Sequence, residues 1–271
     1  CIEQRRVIVK ELYPRQDVQR DPASKMVVPL KGQEDYFRKL KHRFKEEAQI
    51  LYSFRHEPSV MNVYRLMEDN NTVYYSMEYL SGFDLKTYME QQGKLGWPQL
   101  SGYIRKILYT LHILHGQNLI HRDISPDNVM VQTTDAQMKA KLLDFGAARD
   151  IGRRRSGKSE SIVKDGYSAP EQYMEDGEIG TWTDVYAMAA VIYSCLTGKR
   201  IPAAPERMMK PAPLDMEGIR NKKVRGILEQ ALCIRAEERI RTMKQFRAAL
   251  AGAVPGRNRL AKGLLAAAAA F

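Results

Sequence analysis

The sequence predicts an α+β protein of two unequal lobes, and three observations carry that expectation. Two β-type runs, "RRVIVKEL" and "TVYYSMEY", bracket a single helical stretch within residues 5–78. Helical patterns dominate from Leu85 onward. A chain of 271 residues is long enough for one large domain or two lobes with a sizeable core.

Taken in chain order, "RRVIVKEL" is rich in β-branched residues and reads as a strand, and segment 12–35, rich in Pro, Asp, Lys and Gln, reads as a loop insertion. In "YFRKLKHRFKEEAQILYSF" the apolar positions Phe37, Leu40, Phe44, Ala48 and Leu51 recur at three and four, the spacing of a helix with one apolar face. "TVYYSMEY" closes this small sheet-plus-helix half. The second half holds the helical stretches "LKTYMEQQ", "WPQLSGYIRKILYTLHILHGQ", "TWTDVYAMAAVIYSCLTG", "VRGILEQAL" and "TMKQFRAALAGA", with short strands near 129–132 and 140–143. Segment 149–166, "RDIGRRRSGKSESIVKDG", reads as a second insertion, and no internal repeat is evident.

Composition excludes several classes. With 44% hydrophobic and 28% charged residues the chain is ordinary globular protein rather than a disordered one. Cys1, Cys195 and Cys233 are far apart and lack metal-ligand spacing, which argues against a disulfide framework and for a reducing compartment. Cys195 and Cys233 fall in apolar helical patterns and read as core. The formal charge of +11 favours acidic partners without choosing among them, but no helix carries a basic stripe with groove-reading spacing, so no nucleic-acid partner is expected. At the C-terminal end Arg257, Arg259 and Lys262 precede an apolar run from Gly263 to Phe271, too short to span a bilayer, which takes about 20 residues. Two readings stay open there: an alanine-rich helix or tail, or the start of a transmembrane helix whose basic flank marks the cytoplasmic side. The second would make this the cytoplasmic domain of a single-pass membrane protein, attached beyond its C-terminus.

The chemistry concentrates in "HRDISPDNVM", a stretch between the apolar "LYTLHILHGQNLI" and a strand. Two carboxylates, a cation, an amide and a hydroxyl on one short loop are a stronger functional signal than the same groups scattered over a helix face. Asp123 and Asn128 lie on it, and "LLDFG" puts Asp144 at the end of a strand. One aspartate placed to receive a hydroxyl proton, with an Asn and a second Asp offering oxygens to Mg²⁺, is what phosphoryl transfer from a nucleotide requires.

The ordered set "VIVK", "KEEA", "HRDxxxxN", "DFG" and "APE" resembles the protein kinase superfamily. The fuller "HRDISPDN" and "GYSAPEQY" are similar to bacterial eukaryotic-like Ser/Thr kinases, a likeness running from about residue 5 to 252. The resemblance implies a bilobal fold, with an N-lobe over 1–77, a hinge over 78–84, a C-lobe over 85–252 and a basic, juxtamembrane-like tail over 253–271. It also implies ATP and Mg²⁺ as cofactors and a protein substrate, with self-association for autophosphorylation. Carried over by residue, Lys10 grips the α- and β-phosphates and pairs with Glu47, Asp123 is the catalytic base, and Asn128 and Asp144 hold the metal. Ile8, Met77 and Met130 line the adenine pocket. Glu78 and Leu80 offer backbone hydrogen bonds to adenine, and Asp84 reaches the ribose. Architectural roles fall to a spine of His121, Phe145, Leu51 and Val63, to Asp184 as anchor of the catalytic loop, and to a Glu171–Arg239 ion pair.

Three departures qualify the likeness. No "GxGxxG" precedes Lys10 in this sequence, so the N-lobe reads as incomplete. Ile8 stands where the family usually has Ala against adenine, and overfilling a packed slot costs about 1–3 kcal/mol. Ser125 stands where Ser/Thr kinases commonly place a lysine that steadies the γ-phosphate, while Lys164 stands where they more often have a threonine. The expectation is that Lys164 supplies the missing ammonium, against the alternative of a solvated loop lysine. For regulation, Arg122 resembles the arginine that binds a phosphorylated activation loop, with Ser156, Ser159 and Ser161 as acceptors. The function expected is a protein Ser/Thr kinase. The alternatives are a pseudokinase acting as a binding module, and a kinase fold acting on a small molecule, against which the retained "APE" segment argues.

Overall fold

The computed structural model describes residues 6–134, 137–150 and 163–253. Two compact units divide the chain: the first runs to Ser81 and takes in Lys141–Gly146, and the second holds Gly82–Ala140 and the chain from Ala147 on.

In the first unit, β1 (Val7–Glu11) turns Val7 and Val9 to solvent and keeps Ile8 and Lys10 half-buried on the other face. A hairpin of β2 (Val18–Arg20) and β3 (Val27–Pro29) follows, then α1 (Glu34–Ser53), β4 (Val63–Asp69) and β5 (Thr72–Glu78). The main sheet has the order β1-β5-β4, antiparallel throughout. α1 buries Phe37, Phe44, Glu47, Ala48 and Leu51, close to the apolar stripe its spacing predicts, with Leu40 half-buried at its edge.

Two features correct the sequence reading. Segment 12–35 is not a plain loop: Val18 and Val27 of its hairpin pack with Phe37 of α1 in a small core of their own, flanked by Leu12 and Tyr13. β4 carries no strict alternation in sequence because a bulge at Tyr64 breaks its register between Val63 and Arg65. In the β4–β5 turn Asn70 and Asn71 take left-handed φ values of 50° and 57°, the conformation a two-residue hairpin loop demands and a signal the sequence reading left unused. That turn also holds the insertion: Val27 N–H donates to Asn70 O at 2.8 Å and Asn71 Nδ2 to Val27 O at 2.8 Å.

The second unit begins with β6 (Phe83–Asp84), α2 (Leu85–Gln92), α3 (Trp97–Gly116) and β7 (Leu119–Ile120), followed by β8 (Val129–Thr134) and β9 (Gln137–Leu142), along which the chain returns to the first unit at Lys141. β10 (Arg149–Asp150) pairs with β7, placing two strand residues in a segment expected to be wholly loop. α4 (Thr181–Thr197), α5 (Ala204–Met209), α6 (Lys222–Ala231) and α7 (Met243–Ala251) complete the fold, α5 being a short helix the sequence pattern did not show. α4 is apolar around its whole circumference and is buried from Thr183 to Leu196, as a helix at the centre of a core must be. α3 packs on α4 and α7, and α6 on α4 and α7. Trp97 Nε1 and Asn221 Nδ2 both donate to the Ala253 carbonyl, at 3.2 and 2.9 Å, tying down the end of α7. Cys195 lies in this core, where burial pushes its thiol up to about 12, whereas Cys233 is only half-buried.

Candidate active site

Within the first unit, β1 and β5 set Lys10 opposite Tyr75 in register. Lys10 Nζ donates to Glu47 Oε1 at 2.8 Å, and the buried Tyr75 hydroxyl donates to the same oxygen at 2.8 Å. The ammonium also lies 5.6 Å from the Phe44 ring centre and 5.5 Å from that of Tyr75, so two aromatic faces and one carboxylate fix it. Burial, then the charges of Glu47 and Asp144, push the Tyr75 phenol well above its ordinary range, leaving it a donor at any physiological pH.

Asp144 takes a left-handed φ of 53°, is exposed, and accepts the Gly146 N–H on Oδ1 at 3.0 Å. A Cβ at position 146 would stand 3.1 Å from that oxygen and 3.4 Å from Glu47 Oε2, so a side chain there would crowd the Asp144 carboxylate. In this unit the structure therefore gathers Lys10, Glu47 and Asp144. Three residues upstream of Asp144, the buried Lys141 donates to Val60 O at 3.0 Å and pairs with Glu78 Oε1, a contact the sequence did not signal. The Glu78 N–H is already given to Asn62 O at 2.9 Å, so it is not available to adenine. Ile8, Met77 and Leu80 are half-buried, and Leu51, Val63 and Phe145 are buried.

In the second unit, the loop after β7 carries Asp123, Ser125 and Asn128. Asn128 Nδ2 donates to Asp123 O and Oδ2, both at 2.8 Å, which locks the carboxylate and leaves Asn128 Oδ1 as an acceptor. Lys164 Nζ donates to the fully buried Ser125 hydroxyl at 2.9 Å and lies 3.2 Å from Asp123 Oδ1. Arg122 holds a left-handed φ of 68° because its N–H and that of His121 both donate to Asp184, at 2.9 Å each. His115 Nε2 lies 2.8 Å from the same carboxylate. Burial works to raise the Asp184 carboxyl, but the hydrogen bond and charge of His115, with the Arg122 N–H, hold it below the usual carboxylate range. The family resemblance pointed to Asp184 but not to His115, which sits a helix away in the chain.

The Glu171–Arg239 pair is bidentate, at 2.9 Å on both arms, and wholly buried. Thr183 Oγ1 and the carbonyls of Cys233 and Ile234 satisfy its remaining groups. Asp84 departs from its expected role in one respect: both of its oxygens accept from Thr87, at 2.8 Å, capping α2. Met130 is half-buried opposite Asp84 in register. Gly82 permits that pairing, since a Cβ there would strike Val131 O at 2.3 Å. Ser156, Ser159 and Ser161 lie outside the described residues.

A family model for the protein kinase domain matches residues 15–250. The chain belongs to that family. This kinase domain is 31% identical over 170 residues to a probable serine/threonine-protein kinase of Clostridium acetobutylicum, covering 59% of this chain and 25% of that protein. It is 29% identical over 236 residues to serine/threonine-protein kinase PknD of Mycobacterium tuberculosis, covering 82% of this chain and 34% of that one. Of the curated relatives it thus spans about a third of their length or less. Among solved structures it is similar to PpkA-294 in its apo form, with a TM-score of 0.75 and 25% identity over 90% of this chain and 86% of that chain.

Nucleotide and divalent-metal use are general to this family. Each unit offers oxygen of the kind a hard cation takes: in the second, Asn128 keeps its amide oxygen, and in the first, Asp144 keeps one carboxylate oxygen beyond its bond to Gly146. Among the described residues no cluster of three His, Cys, Asp or Glu side chains forms a ready protein cage.

Proposed function

We propose that this domain is an ATP-dependent protein Ser/Thr kinase, and the observation that carries the reading is the Asp123 constellation. The reading is supported by a carboxylate held by Asn128 and flanked by an ammonium, a setting suited to accepting a hydroxyl proton. Lys10, oriented by Glu47, binds the α- and β-phosphates of ATP. Asp144 and Asn128 hold Mg²⁺, which when bound neutralises charge on the phosphates. The substrate hydroxyl oxygen bonds to the γ-phosphorus as the bond to ADP breaks, and its proton passes to Asp123. Ile8, Met77 and Met130 line the adenine pocket, the Glu78 carbonyl and Leu80 N–H meet the base, and Asp84 meets the ribose once it gives up part of its cap. Arg122 receives phosphate placed on Ser156, Ser159 or Ser161 when two copies associate and phosphorylate one another.

Among the described residues no helix is long and apolar enough to cross a membrane. Membrane attachment is proposed only through the basic and apolar segment after residue 253. The pseudokinase reading is the weaker one: Lys10, Glu47, Asp123, Asn128 and Asp144 are all present, and the relatives above are named as kinases.

The test is transfer of labelled γ-phosphate from ATP·Mg²⁺ to the protein itself and to casein. Transfer to serine or threonine that both Asp123→Asn and Asp144→Asn abolish is the expected result. Nucleotide binding without transfer in the natural protein would return the domain to the pseudokinase class.

A further inference from the structure

Resting on that reading, we infer that the cation facing the transferring phosphate is Lys164, with Ser125 as its hydroxyl partner, and that this cation is delivered by the segment following the activation loop rather than by the catalytic loop. The geometry that points there is local. Lys164 Nζ touches the Ser125 hydroxyl at 2.9 Å and Asp123 Oδ1 at 3.2 Å, so the ammonium lies beside the base at the point where charge develops. Ser125 is fully buried and its side chain is too short to reach past that contact, whereas Lys164 remains about one-third exposed and can turn outward to a phosphate.

The seat of this ammonium is a closed circuit of hydrogen bonds. Lys164 N–H donates to Ser168 Oγ at 2.9 Å, and the N–H groups of Tyr167 and Ser168 donate to Lys164 O at 3.0 and 2.9 Å. One residue on, Ala169 N–H donates to Gln172 Oε1 at 3.0 Å, and Gln172 Nε2 donates to Arg122 O at 2.8 Å, back on the catalytic loop. The stretch 164–172 therefore meets that loop at two points, and the first of them is the ammonium itself. When this stretch is unseated, Asp123 keeps its bonds to Asn128 but loses its cation. Ordering of the segment thus acts on the chemical step directly.

In the transfer itself Lys164 exchanges neither atoms nor electrons. The hydroxyl proton goes to Asp123, the bridging oxygen leaves with ADP, and Lys164 lowers the cost of the charge on the γ-phosphate oxygens. A lysine that merely braced Asp123 would be replaced as well by a neutral donor such as the hydroxyl in Lys164→Thr, whereas a cation facing the phosphate is replaced only by another charge, which Ser125→Lys supplies.

The experiment compares kcat, KM for ATP and ATP·Mg²⁺ affinity by calorimetry in the natural protein and its variants, with thermal unfolding as the folding check. Lys164→Ala and Lys164→Thr are expected to lose about a hundredfold in kcat while KM and affinity stay within about threefold. Ser125→Lys combined with Lys164→Thr should recover kcat to within about tenfold of the natural protein. Gln172→Ala should cost about tenfold in the natural background but under about threefold in the swapped one, where the cation no longer rides on that stretch. Lys164→Ala turning over within threefold of the natural protein, or a double variant no better than Lys164→Thr alone, overturns the assignment. Equal losses from Gln172→Ala in both backgrounds overturn its dependence on the segment. A natural protein that transfers no phosphate sinks the kinase reading and this inference with it, an outcome distinct from an active protein whose variants misbehave.

Discussion

Replacing Asp184 by Asn tests whether one buried carboxylate organises the catalytic loop. Three donors converge on it: the His121 and Arg122 N–H groups at 2.9 Å and His115 Nε2 at 2.8 Å. They divide between its two oxygens, Arg122 on Oδ1 and the other two on Oδ2. An Asn of the same shape keeps one acceptor, so whichever way its amide turns, its NH₂ confronts at least one buried N–H. An orphaned buried donor costs about 1–3 kcal/mol, and the surviving bonds lose charge assistance. Asp184→Asn should therefore lose about 2–4 kcal/mol of stability at pH 7, read from urea unfolding followed by tryptophan fluorescence. Because Arg122 is held in a left-handed conformation by the same oxygen, Asp123 next to it loses its placement, and kcat should fall by about tenfold or more. Acid repeats the experiment in the natural protein. The native carboxyl titrates below its ordinary value, so its contribution is complete above that value of 3.8 and is lost as pH falls through the lower native one. Asp184→Asn should be the flatter of the two proteins across that window. A variant within 0.5 kcal/mol of the natural protein, roughly the scatter of surface substitutions, with the same acid slope, would refute the reasoning.

Arg239→Met strands Glu171 in the core, which typically costs about 3–5 kcal/mol. At about 2–4 °C per kcal/mol for a chain of this order, calorimetry should find the midpoint lowered by some 6–20 °C. Lys10→Met removes the partner of buried Glu47 but from a side chain about one-third exposed, so the stability loss should be smaller, about 1–2 kcal/mol. Phosphate transfer by Lys10→Met should fall below detection in the radiolabel assay, and transfer at the natural rate would count against its phosphate role. Cys195, with its thiol pushed up by burial, should resist iodoacetamide at pH 8 in the folded protein and react on addition of denaturant, as followed by mass spectrometry.

The sequence displayed most clearly whatever is governed by local spacing. The stripe from Phe37 to Leu51 shows directly as α1, and the all-round apolar run of α4 shows as a buried helix. Polar motifs on short loops, such as Asp123 with Asn128, were legible because few other structures need those groups so close in the chain. What was hidden depends on partners far apart. His115 reads as one more residue of an apolar helix until Asp184 is placed beside it, and the Lys141–Glu78 pair joins residues with no pattern between them. The cap made by Asp84 went unread for a different reason, since an aspartate ahead of a helix satisfies a local N-cap signature as well as a ligand role, and the cap needs nothing from outside. β4 was lost to its bulge, although the Asn70–Asn71 turn announced the hairpin.

The insertion between Lys10 and Glu47 shows why spacing and pairing carry different information. The family match begins at residue 15, beyond Lys10, yet Lys10 meets Glu47 at 2.8 Å across a segment that sequence alone marked as irregular. That segment is tethered at both ends. Leu12 N–H donates to Val73 O at 2.9 Å as the chain leaves β1, Val27 is bonded to the Asn70–Asn71 turn, and Gln33 N–H donates to Leu30 O at 2.9 Å just before α1. Its apolar residues pack on Phe37 of the same helix that carries Glu47. Once the ends of a loop are fixed on one scaffold, added length costs only slowly growing closure entropy and does not move the anchors. The distance from Lys10 to Glu47 is set by β1, β5 and α1, and the hairpin between them is free to vary without touching it. A lysine outside the matched region is therefore tied to this core by the buried carboxylate that needs it, since among the described residues Glu47 would otherwise have only the Tyr75 hydroxyl to offset its charge.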